Sequence, residues 1–509
     1  MDVTQILMLI TILVYLAAMV GIGAVLAKQN QTTDDFYLGG RTLGPLVTAM
    51  SAEASDMSSW LLMGLPGVAY LSGTADAAWT AIGLAIGTYV NWLVVAKRLR
   101  NYTHVCGNST TLPLFFSNRY RDNKRILSVI AALLIIIFFV PYTASGFAAC
   151  GKLFANLFGM DYLPAMLISA IVIVAYTTLG GFLAASTTDF VQSIVMTIAI
   201  VVVFGFGISK VGSFSAVMDN AKSMAGYFSL THTHDVATGT ASPYSLLQIF
   251  STLAWGLGYF GMPHVLLRFM AIGDANKLKL SRRVATVWVV ISMAVSVLIG
   301  VIGNAMTKAG VLPTLKDPET IILVVADLIS KHGVLATIIA GLILAGILAA
   351  TMSTADSQLL AASSSASQNI LKEVFMKDMS EKTGMLIARI TVLVIALIGV
   401  FIARNPDSSV FQIVSFAWAG FGASFGPLVL LALFWKRSTF QGALCGMVSG
   451  GVMVFVWKFL IRPMGGALGI YELLPAFLLG LAVNVIVSLL TPAPSREVQD
   501  EFDKVASMK

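Results

Sequence analysis

About 13 long apolar runs separated by short polar loops set the terms on which this chain folds. They lie at residues 5–26, 45–71, 75–96, 126–154, 161–184, 188–210, 243–271, 283–308, 333–365, 384–403, 409–435, 439–461 and 471–491, numbered spans 1 to 13 below. At roughly 20 residues per crossing they place about 260 residues in hydrocarbon. In a bilayer only helices and closed barrels satisfy every backbone polar group. Stretches such as 129–139 and 198–206 are apolar on every face. A barrel strand alternates in polarity over about ten residues, so a barrel is excluded. The expected fold class is an all-α polytopic membrane protein. Composition agrees, with 57% apolar and 11% charged residues against roughly 45–50% and 25% in soluble domains.

Net charge is +7, but the 32 basic residues are spread over short loops and form no basic face for nucleic acid. They report orientation instead. An outside N-terminus puts about 23 of the 32 inside, as the positive-inside rule requires. The largest contributors are 97–125, with seven basic residues, and the loop 268–283, with five. Thirteen crossings then leave the C-terminus cytoplasmic. Residues 210–242 and 308–332 form the long outer loops, and 318–331 within the second reads as a short amphipathic helix. Span 1 lacks a basic n-region and is too long for a signal h-region, so it is expected to be retained. Cys106, Cys150 and Cys445 are an odd number at wide spacing, which indicates neither a disulfide framework nor a zinc site. His232 and His234, in an exposed loop, are read as solvated.

One membrane domain, 1–509, is expected. Inverted repeats of five helices are a common transporter design, and the two interrupted spans, 2 and 7, are five apart. That spacing suggests repeats at about 45–210 and 243–435, flanked by the N-terminal helix 5–26, the C-terminal helices 439–491 and a short tail, 492–509.

Several motif matches carry no chemistry. Gly256-Leu-Gly258-Tyr-Phe-Gly261 fits G-x-G-x-x-G but has no preceding strand. Gly146 to Leu153 nearly spells a P-loop, yet Leu153 replaces the magnesium-binding Ser or Thr. No H-E-x-x-H occurs, and a recognisable catalytic set is lacking, so no enzyme activity and no cofactor are expected. The G-x-x-x-G spacings at Gly83 and Gly87, and at Gly442, Gly446 and Gly450, read as close helix packing.

Ionisable groups inside membrane helices require a partner or a task. Asp76, beside a loop, reads as a wet helix end. Glu53 and Asp56 instead sit in Met50-Ser-Ala-Glu-Ala-Ser-Asp-Met-Ser-Ser-Trp60, a small polar island closed by Gly64, Pro66 and Gly67. Small residues let a helix unwind where it lines a cavity, and freed carbonyls with nearby hydroxyls suit a hard cation such as sodium. A second island surrounds Ser353, Thr354 and Asp356 in span 9. Its hydroxyls either complete the same site or bond back to carbonyls one turn earlier. The third, from Trp255 to His264 in span 7, combines three glycines and Pro263 with Trp255 and Tyr259. Their flat walls with polar tips suit a small organic solute.

Gly39-Gly-Arg41-Thr-Leu-Gly-Pro45, Ser55-Asp-Met-Ser-Ser-Trp-Leu-Leu-Met-Gly-Leu-Pro-Gly67, Trp255-Gly-Leu-Gly-Tyr-Phe-Gly-Met-Pro-His264 and Trp418-Ala-Gly-Phe-Gly-Ala423 closely resemble the proline branch of the sodium/solute symporter family, over about residues 5–495. The resemblance implies the LeuT-type fold of 5+5 inverted repeats with one extra N-terminal helix, in a bacterial plasma membrane. It implies sodium held by the carbonyls of Ala54, Met57 and Ala350 and the hydroxyls of Ser353 and Thr354, with Asp56 as the essential acid beside them. L-proline would rest near Ser58, Ser59 and Trp60, with Tyr142, Trp255, Tyr259 and Pro263 shaping the pocket. Arg41 would belong to the cytoplasmic end of the path and Asp189 to ion handling. The partners implied are proline, sodium and membrane lipid, without nucleic acid or a required protein partner.

Two positions depart from that pattern: Glu53 and Ser59 stand where the resemblance implies glycine. Glu53 either adds a proton-sensitive site or pairs with a neighbouring helix. Ser59 leaves open symport of another small solute, such as a different amino acid, a vitamin or a sugar acid. An ion channel is the alternative from another class, and it would need a continuous polar pore where this sequence has short islands.

Overall fold

A computed structural model describes residues 2–28, 32–376, 379–405 and 409–508. Apart from one small hairpin the architecture is helical. Among the described residues ten helices are long and apolar enough to cross a membrane, and they correspond to spans 1, 3, 4, 6 and 8–13. The other three spans are those where the helix is interrupted or shortened.

Span 2 is built as Pro45–Asp56, a break, a π-helical turn Trp60–Gly64 and a second helix Leu65–Ser72. Proline at the first position starts the first segment without losing a needed donor. Span 7 is likewise divided into Leu246–Leu253, a 3₁₀ stretch Ala254–Gly261 and Pro263–Ala271. Pro263 cannot donate to the preceding turn and so restarts the helix. Spans 5 and 6 run together as Tyr162–Val211, kinked at Gly181 with φ 63° and ψ −172°. The sequence placed a gap at 185–187, but the backbone turns four residues earlier, where glycine supplies positive φ without a Cβ clash.

Small residues let the broken spans approach their neighbours. A Cβ on Gly83 or Gly87 would lie 2.5 or 2.4 Å from the carbonyl of Leu253 or Gly256, so span 3 packs backbone to backbone against span 7. Gly442, Gly446 and Gly450 do the same against Asn484, Gly480 and Ala423.

The expected helix at 318–331 is present as a 3₁₀ turn Pro318–Thr320 followed by Ile321–Ser330. His232–His234 pairs with Ala241–Pro243, and each histidine has its own local partner, Thr231 for His232 and the Ala225 carbonyl for His234. The short tail carries a helix of its own. Arg496–Ser507 is an amphipathic helix that buries Val498, Phe502 and Val505. Arg121 pairs with Glu497 and Glu501 at 3.0 and 2.6 Å, and the Phe502 ring lies 4.9 Å from the Arg98 guanidinium.

Candidate functional site

The break in span 2 falls where Ser, Asp and Ala replace large apolar side chains. Met57 leaves the helical region at φ −79° and ψ 66°, while its N–H still bonds the Glu53 carbonyl. The chain folds back on itself there, with the Ser58 N–H on the Asp56 carbonyl at 2.9 Å. Ser58 Oγ accepts from the Trp60 N–H at 3.4 Å. Ser59 is fully buried and its hydroxyl has no partner among the described residues.

Span 9 meets this break directly. Ser353 Oγ donates to the Ala54 carbonyl at 2.8 Å and to the Ala350 carbonyl at 3.2 Å. Thr354 Oγ1 reaches the same Ala350 carbonyl at 3.1 Å. The span 9 hydroxyls therefore bond back within their own helix, and Ser353 also crosses to span 2. Ala54, Ala350, Ser353 and Thr354 thus form one group of oxygens, with Met57 at the adjoining break.

Aromatic side chains enclose the other side of the break. The Asp56 carbonyl accepts from Trp60 Nε1 at 3.2 Å and from the Tyr142 hydroxyl at 3.3 Å. The Asp56 carboxylate accepts from the Tyr259 hydroxyl at 2.6 Å. Trp255 stacks on Trp60 with ring centroids 6.0 Å apart. Pro263 is buried at the start of the next helical segment. The box has two further walls without an assigned role in the sequence. Trp418 donates to the Trp255 carbonyl at 2.8 Å and meets Tyr259 edge-on at 5.0 Å, and Tyr471 stacks on Trp255 at 5.1 Å. Gly258 makes room for Trp418: a Cβ there would fall 1.9 Å from Trp418 Nε1.

Arg268 is a correction. It was counted among the basic residues of the loop 268–283, yet it is 1% exposed within Pro263–Ala271. Its guanidinium joins four spans. It lies 3.2 Å from Asp189 of span 6, 2.9 Å from Ser51 of span 2 and 2.6 Å from Ser357 of span 9, and it also donates to the His264 carbonyl at 3.0 Å. Ser51 donates to Asp189 at 2.7 Å, and Ser357 donates to Asp356 at 3.1 Å. A count of charges by nearest helix end could not find this network, because its members are far apart in sequence.

Asp76 stands at the helix end that the sequence implied. It is half-buried in the first turn of its helix and accepts from the Tyr244 hydroxyl at 2.8 Å. Arg41 lies outside the polar centre. It has φ 57°, and its side chain is fixed to the carbonyls of Met270 and Ser109 at 2.6 and 2.7 Å. Glu53 is 1% exposed and accepts from Trp92 Nε1 of span 3 at 2.8 Å, so it does pair with a neighbouring helix.

A discontinuous membrane helix, faced by hydroxyls on one side and an aromatic box on the other, is the arrangement of a secondary solute transporter. Residues 36–450 match the sodium:solute symporter family. The chain belongs to that family. It is 40% identical over 489 residues to the osmoregulated proline transporter of Bacillus subtilis (strain 168), covering 96% of each chain. It is 41% identical over 500 residues to the sodium/proline symporter of Escherichia coli (strain K12), covering 97% of this chain and 95% of that one. A high-affinity proline transporter of Bacillus subtilis (strain 168) is 42% identical over 482 residues, with 95% and 98% covered. Among solved structures, a Na⁺-coupled sialic acid symporter in a substrate-bound outward-open state aligns with a TM-score of 0.79 at 19% identity, over 96% of this chain and 99% of that one. The fold is shared with that protein: a LeuT-type, all-helical, multi-pass membrane architecture.

Proposed function

We propose that this protein couples inward movement of sodium to uptake of L-proline across a bacterial inner membrane. The observation that carries the reading is the Ser353 hydroxyl on the Ala54 carbonyl, two residues from an Asp56 that Trp60, Tyr142 and Tyr259 enclose. Relatives at 40–42% identity that transport proline support the choice of solute. No cofactor takes part, and sodium travels as the co-transported ion.

In this reading the carbonyls of Ala54, Met57 and Ala350 and the hydroxyls of Ser353 and Thr354 hold sodium. Asp56 supplies the negative field beside it. Proline lies against the break near Ser58, Ser59 and Trp60, its ring among Tyr142, Trp255, Tyr259 and Pro263. Asp189 takes part in ion handling through its link to span 9, and Arg41 belongs to the cytoplasmic end of the path. The chain crosses the membrane 13 times with its N-terminus outside and its C-terminus in the cytoplasm. Spans 2–6 and 7–11 are inverted repeats within one domain. It works with membrane lipid around it and needs no protein partner.

Sodium binds first, orders the break and so completes the proline site. Alternating access then moves both together. One sodium driven by 100 mV and a tenfold gradient supplies about 2.3 plus 1.4 kcal/mol, enough for a proline gradient of roughly 500-fold. Radiolabelled proline uptake into proteoliposomes tests the proposal. Concentrative uptake is expected with an inward sodium gradient and not with an equal potassium gradient. Exclusion of proline under both gradients by folded protein would overturn the solute assignment.

A further inference from the structure

We infer that Glu53 makes a second sodium site, between spans 2, 3 and 7, and that this protein moves two sodium ions per solute. The inference rests on the proposed function and extends it to stoichiometry. Glu53 and Asp56 are three residues apart on Pro45–Asp56, which puts them on one helix face with Cβ atoms about 5–6 Å apart. Both are buried, at 1% and 0% exposure. Neither forms an ion pair among the described residues, where every acid–base contact within 4.0 Å involves other carboxylates.

Two ionised carboxylates in a membrane interior need positive charge. The sodium at Ala54 and Ser353 balances one and leaves the other. Buried oxygens without protein partners supply candidate donors for a second ion. Glu53 Oε1 is held by Trp92 and Asp56 Oδ2 by Tyr259, while Glu53 Oε2 and Asp56 Oδ1 have no partner among the described residues. Span 3 adds Thr88, 1% exposed, and Asn91, 0% exposed. The Thr88 hydroxyl and the Asn91 amide oxygen are also without partners there. Asn91 is fixed in this place by its Nδ2 donating to the Tyr259 carbonyl at 3.1 Å, and it adjoins the Trp92 that positions Glu53. Carboxylate, hydroxyl and amide oxygens are the donor set that hard cations prefer.

Equilibrium binding of ²²Na⁺ to the purified full chain tests the site, together with proline accumulation in proteoliposomes at several sodium gradients. The wild type is expected to bind two sodium ions. A tenfold smaller gradient should then lower its accumulation limit about 100-fold, since each coupled ion contributes a factor of ten. Glu53→Gln is expected to bind one sodium and to lose only about tenfold under the same change. Trp92→Phe keeps both carboxylates but frees Glu53 Oε1. It should retain a coupling of two while weakening the second ion by roughly 10- to 100-fold, the worth of a hydrogen bond to a charged group. One sodium in the wild type, or the same coupling in wild type and folded Glu53→Gln, overturns the inference. So does a second driving charge that proves to be a proton when pH gradients are imposed. If the wild type takes up no proline, the proposed function falls, and the ²²Na⁺ count still decides the second site.

Discussion

Ser353 and Ala54 are 299 residues apart in the chain and joined by a hydrogen bond of 2.8 Å. The contact links the middle of a continuous helix to the last turn of a broken one, and so ties the span 9 hydroxyls to the break in span 2. A hydroxyl beside a carbonyl that an unwinding helix has released can ligate a hard cation without a formal charge. Binding there stabilises whichever arrangement keeps the two spans together.

Ser353→Ala removes one ligand and the crossing bond. The sodium concentration for half-maximal uptake is expected to rise by roughly 10- to 100-fold, with little change in the amount of folded protein. Sodium titration of proline uptake measures it, and an unaltered sodium dependence would remove Ser353 from the ion group.

Asp56→Ala is expected to abolish sodium-driven uptake while membrane insertion persists. Tyr259→Phe keeps the ring in the aromatic box but deletes the donor 2.6 Å from Asp56, and should lower uptake by about tenfold, the effect of one charged hydrogen bond. Uptake by both variants at matched membrane protein levels checks this. Near-normal transport by Asp56→Ala would show that the ion group lies elsewhere.

Ser59→Gly removes a buried hydroxyl at the break. Competition for labelled proline by a panel of cyclic and linear amino acids should become broader in the variant, because the wall beside the solute recedes. A selectivity profile identical to the wild type would place Ser59 away from the solute.

Asp189→Ala leaves the Arg268 guanidinium buried without its carboxylate. Breaking such a pair costs about 3–5 kcal/mol, so thermal unfolding in detergent should begin well below that of the wild type. Replacing both residues, as Asp189→Ala with Arg268→Leu, should restore part of the lost stability, since the buried guanidinium is removed together with its carboxylate. An unchanged unfolding temperature in the single variant would show that the charge finds another partner.

The runs of apolar residues and the interruptions near 57–59 and 254–262 were legible in the sequence because both follow from local chemistry. Pro263 must restart a helix, and an island of Ser, Ala and Asp cannot be lipid-facing. Ser353 and Thr354 were legible for the same reason. What escaped were pairings between distant spans. Arg268 falls one turn from a helix end and resembles a loop residue until Asp189, Ser51 and Ser357 surround it. The partner of Glu53 is 39 positions away on a helix with its own apolar pattern. Trp418 and Tyr471 close the aromatic box through tertiary packing alone. The ordered tail depended on Phe502 meeting Arg98, which no local signal specifies.

Span 9 carries Ser353 and, four residues on, Ser357. About 6 Å of rigid helix separates them. The first bonds the broken span 2 at Ala54, and the second engages the Arg268 guanidinium, which also reaches spans 2 and 6. A tilt of span 9 would therefore move both contacts together, like two teeth on a single shaft. Under the proposed function, carrying both contacts on one helix would guard against futile cycling. A symporter that let its ion through without its passenger would drain the gradient that powers every other importer in the same membrane, and substitutions that soften span 9 between these serines should turn the protein into such a leak.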